Sequence, residues 1–418
     1  MAQMRFFKGK EKIIILFLLS VVVRLCVFVY HFFFFSWPLE PWDQLIIGML
    51  EPYFDYKYYY REFAQEFING NWFPYISETS DQILDSYVYP PLFLYIIAIP
   101  AIFSVDLVFI PLFLADLFLP FVIYRLLARS SEEEVAEWGF LAVLFCPLSI
   151  VYNGGLFFNT SLVVLIFIVS IYFVHVKRFK YATLTLAASF LLKQIILIFI
   201  LPILLYIILK SSENNYISYL KQISIYSGIL IGTIFVGSLP WILVSPGRYL
   251  ESIFMSQQIT FNPTFISREL TWPVHWYSFL IELHAPYWFL YITGFLNFTM
   301  LGLISLQVIN TSLLVHWQNK NSLNWLKFLD LIVFTAILSH LFLPRGVFKY
   351  YFTLHVPLVI LWICFHFGTS LTSSTGHKKV FLIFLVACLT ILLIHRLFYL
   401  LVVWGIFFLM FKIALNNN

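Results

Sequence analysis

Charge is what this sequence has least of. Lysine and arginine number 25 and aspartate and glutamate 21 among 418 residues, so 11% of side chains are charged, while 61% are hydrophobic and the mean hydropathy is +0.89. A water-soluble domain is about 25% charged and about 45–50% apolar. A soluble globular chain is therefore excluded, and lipid is the solvent that accepts apolar side chains around the whole of a helix. The net charge of +4 is small for this length and gives no basis for nucleic-acid binding. Cysteine is also scarce. Cys26, Cys146, Cys364 and Cys388 all fall in apolar runs without paired or metal-like spacing, so they read as small buried apolar residues and say nothing about redox compartment. Polar–apolar alternation at strand period is missing, which argues against a β-barrel. The sequence has no soluble domain, no low-complexity linker and no clear internal repeat. Its first apolar run is too long for a signal-peptide core and lacks a clear cleavage site.

What is present is a succession of long apolar runs, at roughly 13–36, 92–105, 107–128, 140–151, 162–174, 182–192, 195–209, 223–244, 287–315, 328–343, 352–367, 380–394 and 397–413. A membrane-crossing helix needs roughly 20 residues, so the pattern predicts an all-α polytopic protein with about 11–13 spans, some extended by neighbours and some half-helices. We read residues 1–418 as one membrane domain. Arg5, Lys8, Lys10 and Lys12 precede the first run against a single Glu11, which places the N-terminus in the cytoplasm. Residues 37–89 then form the first extracytoplasmic loop, which holds nine of the 21 acidic residues and only Lys57 and Arg61 as cations. A second long loop, 245–286, is rich in Trp, His and Pro. Arg125 and Arg129 also look cytoplasmic. That conflicts with two full crossings at 92–105 and 107–128, so either one of them is re-entrant or the charge rule is overridden.

Few residues in this background can carry chemistry. Asp55 opens the stretch Asp55–Phe67, whose spacing suits a helix on the membrane surface; it is either an N-cap favoured by the helix dipole or a reactive carboxylate. Lys193 and Gln194 separate two apolar runs. The lysine either faces a polar cavity or snorkels at a helix end. Arg345 and Lys349 flank Gly346 beside a helix start, a setting that suits a phosphate or is ordinary flanking charge. His275, Trp276 and His284 do not have zinc-ligand spacing, and no metal site is expected.

Taken in order, these segments resemble the GT-C superfamily of membrane glycosyltransferases, which use polyprenyl-phosphate-linked sugars. The likeness is to the catalytic subunit of GPI mannosyltransferase I and to the dolichyl-phosphate-glucose glucosyltransferases of N-glycan assembly. It is carried by Arg24 in the first span, Asp55 ahead of Tyr59, and Tyr89-Pro90-Pro91-Leu92. Further along it is carried by Tyr124-Arg125-Leu126-Leu127, the stretch from Pro147 to Asn159, Leu192-Lys193-Gln194 with Pro202, Trp276, and Lys349. The sequence departs from the mannosyltransferase pattern in having a single Asp where a pair is expected, and in His275 before Trp276.

The resemblance implies a GT-C fold and transfer of a hexose, mannose or glucose, from a polyprenyl- or dolichyl-phosphate donor to a lipid-linked glycan or other acceptor. The reaction would take place on the extracytoplasmic or lumenal face of the plasma membrane or endoplasmic reticulum, without a cofactor. It implies Asp55 as general base. Lys349, Arg345 and Lys193 would hold the donor phosphate, with Tyr59, Tyr89, Gln194, His275 and Trp276 beside the substrate. Two other readings stay open: a transporter or flippase of a lipid-linked saccharide, and a non-catalytic subunit of a glycosylation complex.

Overall fold

A computed structural model describes residues 11–34, 55–73, 87, 89–213, 215–250, 324–343, 347–367, 374–394 and 398–416, with isolated positions at 253, 286, 288, 292 and 302. The described residues are almost wholly helical. Six helices are long and apolar enough to cross a membrane, or up to seven if the bent pair Glu133–Leu144 and Ser149–Gly155 is one span; five shorter apolar helices accompany them. The apolar run at 287–315 lies almost wholly outside the described residues.

The longer described α-helices are α1 (Glu11–Phe34), α2 (Arg61–Ile68), α3 (Pro91–Ala101), α4 (Phe109–Leu127), α5 (Glu133–Leu144), α6 (Thr160–His175), α7 (Phe179–Leu192), α8 (Leu197–Ser211) and α9 (Tyr216–Val244). After them come α10 (Trp325–Phe342), α11 (Val356–Phe367), α12 (Ser374–Leu393) and α13 (Tyr399–Asn416). Apolar side chains such as Leu18, Val22, Phe118, Ile231, Phe235, Leu382 and Phe408 are exposed on the bundle exterior. In water such a surface would aggregate; in a bilayer it needs no cover.

The conflict over the second and third apolar runs is resolved by α3. At eleven residues, with a rise of about 1.5 Å each, it is too short to cross about 30 Å of hydrocarbon. Contacts at both its ends lead back to the same loop. Tyr89, just before it, reaches Asp55, while Asp106, just after it, accepts a hydrogen bond from Tyr56 at its backbone carbonyl and pairs with Arg61 at 2.5 Å. The chain therefore enters and leaves α3 on one side, and α4 makes the crossing. Helix α1 runs antiparallel to α4, with Phe28 on Phe109 at one end and Phe17 on Phe121 at the other. Arg125 and Arg129 consequently lie at the same end of the bundle as the start of α1, as their charge requires. Cys146, Cys364 and Cys388 are buried as expected, but Cys26 is exposed on the outer face of α1, because a helix solvated by lipid can leave a small apolar side chain uncovered by protein.

An ionic pair lies fully buried inside the bundle. Arg24 Nε donates to Asp116 Oδ2 at 2.6 Å, with the two side chains 0% and 1% exposed. Arg24 also donates to the Leu144 carbonyl at 3.0 Å and to the Ser20 hydroxyl. Gly154 makes room for this arrangement, since a Cβ there would meet Arg24 side-chain atoms at 2.5–2.7 Å. A lone buried charge between membrane helices is expensive, so the pair clasps α1 to α4 and the bent segment. Arg24→Leu or Asp116→Leu alone is expected to destabilise the protein by about 3–5 kcal/mol, because each strands the other charge. The double variant should recover much of that loss, as read by thermal unfolding in detergent. Additive losses would show that the two side chains act independently.

Candidate active site

The site is built from four breaks in helical regularity. Asp55 begins a π-helical turn, Asp55–Tyr60, that runs straight into α2. As the sequence suggested, Asp55 stands at a helix start, yet its carboxylate is buried against tyrosines. Asp55 Oδ2 accepts from the Tyr60 hydroxyl at 3.2 Å and from the Tyr89 hydroxyl at 3.3 Å. Both bonds are longer than the usual 2.7–2.8 Å for O–H···O, so the carboxylate is only loosely solvated by its neighbours.

The second break follows the bent pair α5 and Ser149–Gly155, whose halves meet at 63°. Phe157 there takes a left-handed backbone with φ 53°, unusual for a bulky residue. Its ring packs among Phe28, Tyr56, Phe109 and Phe113, which hold the turn. The turn delivers Asn159 to the site: its backbone N–H donates to the Tyr60 hydroxyl at 3.2 Å.

The third break is Lys193, extended at φ −159°, ψ 127° between α7 and a short 3-10 turn leading to α8. Its ammonium donates to Asn159 Oδ1 at 2.8 Å and lies 4.7 Å from the Tyr351 ring centroid, 5.3 Å from Tyr350 and 5.9 Å from Tyr89. Cation–π attraction and the amide together make burial of the charge tolerable. The two C-terminal tyrosines come from the fourth break, the 3-10 turn Lys349–Leu354, where Tyr350 also stacks on Phe158 at 4.2 Å.

Burial is the largest influence on Asp55 and raises its pKa above the ordinary carboxylate value; the Lys193 charge and the bonds from Tyr60 and Tyr89 oppose it. Burial also raises Tyr60 and Tyr89 well above the usual phenol value, so both remain hydrogen-bond donors. The result is a carboxylate made more basic by its surroundings, with a cation nearby, at one end of a membrane bundle. That combination can take a proton from a hydroxyl and hold a developing anionic oxygen.

Of the residues singled out from the sequence, Asp55, Tyr89 and Lys193 come together. Gln194 sits half-buried in the turn just after Lys193. Tyr59 packs on Phe63 with ring centroids 6.3 Å apart. Lys349 is buried, and its ammonium donates to the carbonyls of Leu392, at 3.3 Å, and Ile394, at the C-terminal end of α12. A cation is favoured at that pole of a helix, and the contact anchors the turn that presents Tyr350 and Tyr351. Arg345, His275 and Trp276 lie outside the described residues. Tyr60, Asn159, Tyr350 and Tyr351 are members of the site that the sequence did not assign a role. Among the described residues no cluster of three or more His, Cys, Asp or Glu side chains could hold a metal ion.

No protein-family model matches the chain, and no curated protein matches it. Among solved structures, the crystal structure of an oligosaccharyltransferase of Archaeoglobus fulgidus in the apo form aligns at 12% identity and a TM-score of 0.44. The alignment covers 94% of this chain but 56% of that one, so the chain spans little more than half of that protein's length. A likeness at this level assigns no activity; the residues themselves carry the functional reading.

Proposed function

We propose that this protein is a membrane glycosyltransferase of GT-C type that transfers a hexose from a polyprenyl-phosphate donor to an acceptor hydroxyl. The observation that carries the reading is the buried, loosely hydrogen-bonded Asp55 carboxylate under the field of Lys193. In this reading Asp55 takes the acceptor hydroxyl's proton as the new glycosidic bond forms. The bond from the sugar to the donor phosphate breaks, and the electron pair leaves on the phosphate. Lys193 meets the charge that builds there, an interaction strongest in the transition state. Tyr89, Tyr350 and Tyr351 surround the ammonium and exclude water from it. Lys349 fixes the aromatic turn, and Arg345 keeps the phosphate contact implied by the resemblance. A phosphate is already a competent leaving group, so the scheme needs no metal.

The polar end opposite the start of α1 is the extracytoplasmic face in this proposal. The test is purified protein in sealed vesicles of both orientations, supplied with a short-chain polyprenyl-phosphate sugar and water-soluble acceptors. Transfer is expected only where the Asp55 end faces the added acceptor. Transfer from the α1 N-terminal face would reverse the orientation.

A second reading draws on a specific observation. The Arg24–Asp116 pair is an ionic group deep between membrane helices, a feature also used by transporters. A wild-type protein that moves the lipid-linked sugar across the bilayer without ever transferring it would favour that reading and defeat the enzyme.

A further inference from the structure

Asn159 is fully buried, at 0% exposure, and holds the centre of the site. Its backbone N–H donates to Tyr60, and its Oδ1 accepts from Lys193. The second bond fixes the orientation of the amide, because an ammonium only donates, so the atom facing Lys193 must be the oxygen. Nδ2 is then left with two N–H groups and no acceptor among the described residues. A buried donor without a partner costs about 1–3 kcal/mol, and native sites rarely retain one without a use. The atoms around it narrow the kind of acceptor that would relieve it. A cation is bound to the same amide, and the tyrosine hydroxyl bound to the same residue's backbone donates in turn to the Asp55 carboxylate. The Lys193 ammonium favours an oxygen that carries negative charge over a neutral apolar group.

From this geometry we infer that Asn159 is a substrate-binding residue whose Nδ2 donates to an anionic phosphoryl oxygen held jointly with Lys193. The inference rests on the glycosyltransferase reading for the identity of the phosphate as that of a polyprenyl-linked sugar, though a phosphate of another source would meet the same two donors. Asn159 also couples the two halves of the reaction. One residue touches the phosphate side through its amide and the Asp55 side through the bond from its backbone N–H to Tyr60, so phosphate and base are held in a fixed relation.

Asn159→Asp tests this with little change in shape. The carboxylate still accepts from Lys193, and the backbone bond to Tyr60 is untouched; the Nδ2 donor is replaced by an oxygen that repels phosphate, and the added charge is paired with Lys193. Binding is measured in detergent by ligand-induced thermal shift and by equilibrium titration, using polyprenyl phosphate, inorganic phosphate and phosphatidylglycerol as separate probes. Polyprenyl phosphate affinity is expected to fall at least about tenfold in Asn159→Asp, a change on the scale of one lost charge-assisted bond. The ligand-free melting temperature should stay near that of wild type. Asn159→Ser, which keeps a short donor, should fall between the two. Equal polyprenyl phosphate affinity in wild type and Asn159→Asp would overturn the inference, as would a loss seen only together with a collapse of the ligand-free melting temperature in both variants. Inorganic phosphate binding that depends on Asn159, with no preference for the polyprenyl form, would assign the site to free phosphate. Because the readout is binding, it separates the two proposals: Asn159-dependent binding in a wild type that never transfers sugar would retire the enzyme reading and leave this one standing.

Discussion

Asp55→Asn should reduce single-turnover transfer by roughly 10²–10⁴-fold, the usual cost of losing a general base. The amide oxygen can still accept from the Tyr60 and Tyr89 hydroxyls, which both meet Oδ2 in the native site, so local packing is preserved while basicity is lost. Two further outcomes follow from the raised pKa of Asp55. A base works only when deprotonated, so the wild-type rate should climb with pH through a limb lying above the ordinary carboxylate range of about 3.9. The sign for stability is opposite. A carboxyl group whose folded pKa lies above its unfolded value favours folding at low pH, and this contribution is lost as pH rises through the folded pKa. At neutral pH, Asp55→Asn removes a buried charge and should unfold at or above the wild-type temperature. A variant that is more stable yet inactive would show strain held for function. Activity within about threefold of wild type would remove Asp55 as the base.

The second large effect is expected from Lys193→Met, which keeps the length of the side chain and removes its charge. Loss of a cation that meets a leaving phosphate should lower the single-turnover rate by about 10²–10³-fold at saturating donor. Lys193 also lowers the Asp55 pKa against the dominant effect of burial. Without it the pKa rises further, and the acidic limb of the rate profile should move to higher pH. The deficit of the variant should therefore be largest in acid and shrink toward alkaline pH, where only the lost phosphate contact remains. Lys193→Arg should restore the position of the limb but only part of the rate, because a planar fork replaces a compact point charge within a ring of tyrosines. If the limb stays in place and the rate is close to wild type, Lys193 is no more than a snorkelling residue at a helix end.

How far the sequence could be read depends on the range of the interaction concerned. Hydropathy and charge bias act over a single span, so the membrane class and the positions of α6, α7 and α8 were legible directly. The topology around α3 was not, because an apolar run of this length is compatible with either crossing or returning. What decides it is a pair of contacts, Tyr56 and Arg61 with Asp106, made by residues about 45–50 positions away from their partner. Lys349 shows the limit from the other side. Its charge and its neighbours suggested a phosphate contact, and the bundle places its ammonium on the carbonyls that end α12.

The sequence by itself determined that this chain belongs in a membrane and where most of its described apolar helices run. Lys193 stands out between two apolar runs and Asp55 at the start of a helical stretch in the acidic loop, whereas nothing in the sequence pairs Arg24 with Asp116. Only the tertiary structure decided who meets whom. Asp55, Tyr89, Asn159, Lys193 and Tyr350 come from separate loops and helix breaks far apart in the chain, and they converge because each break falls at the same end of the bundle. Local pattern reports the cost of burying a charge. The partner that offsets that cost is chosen by packing, where a π-turn, a left-handed Phe157 and an extended Lys193 aim side chains that no periodicity could have aimed.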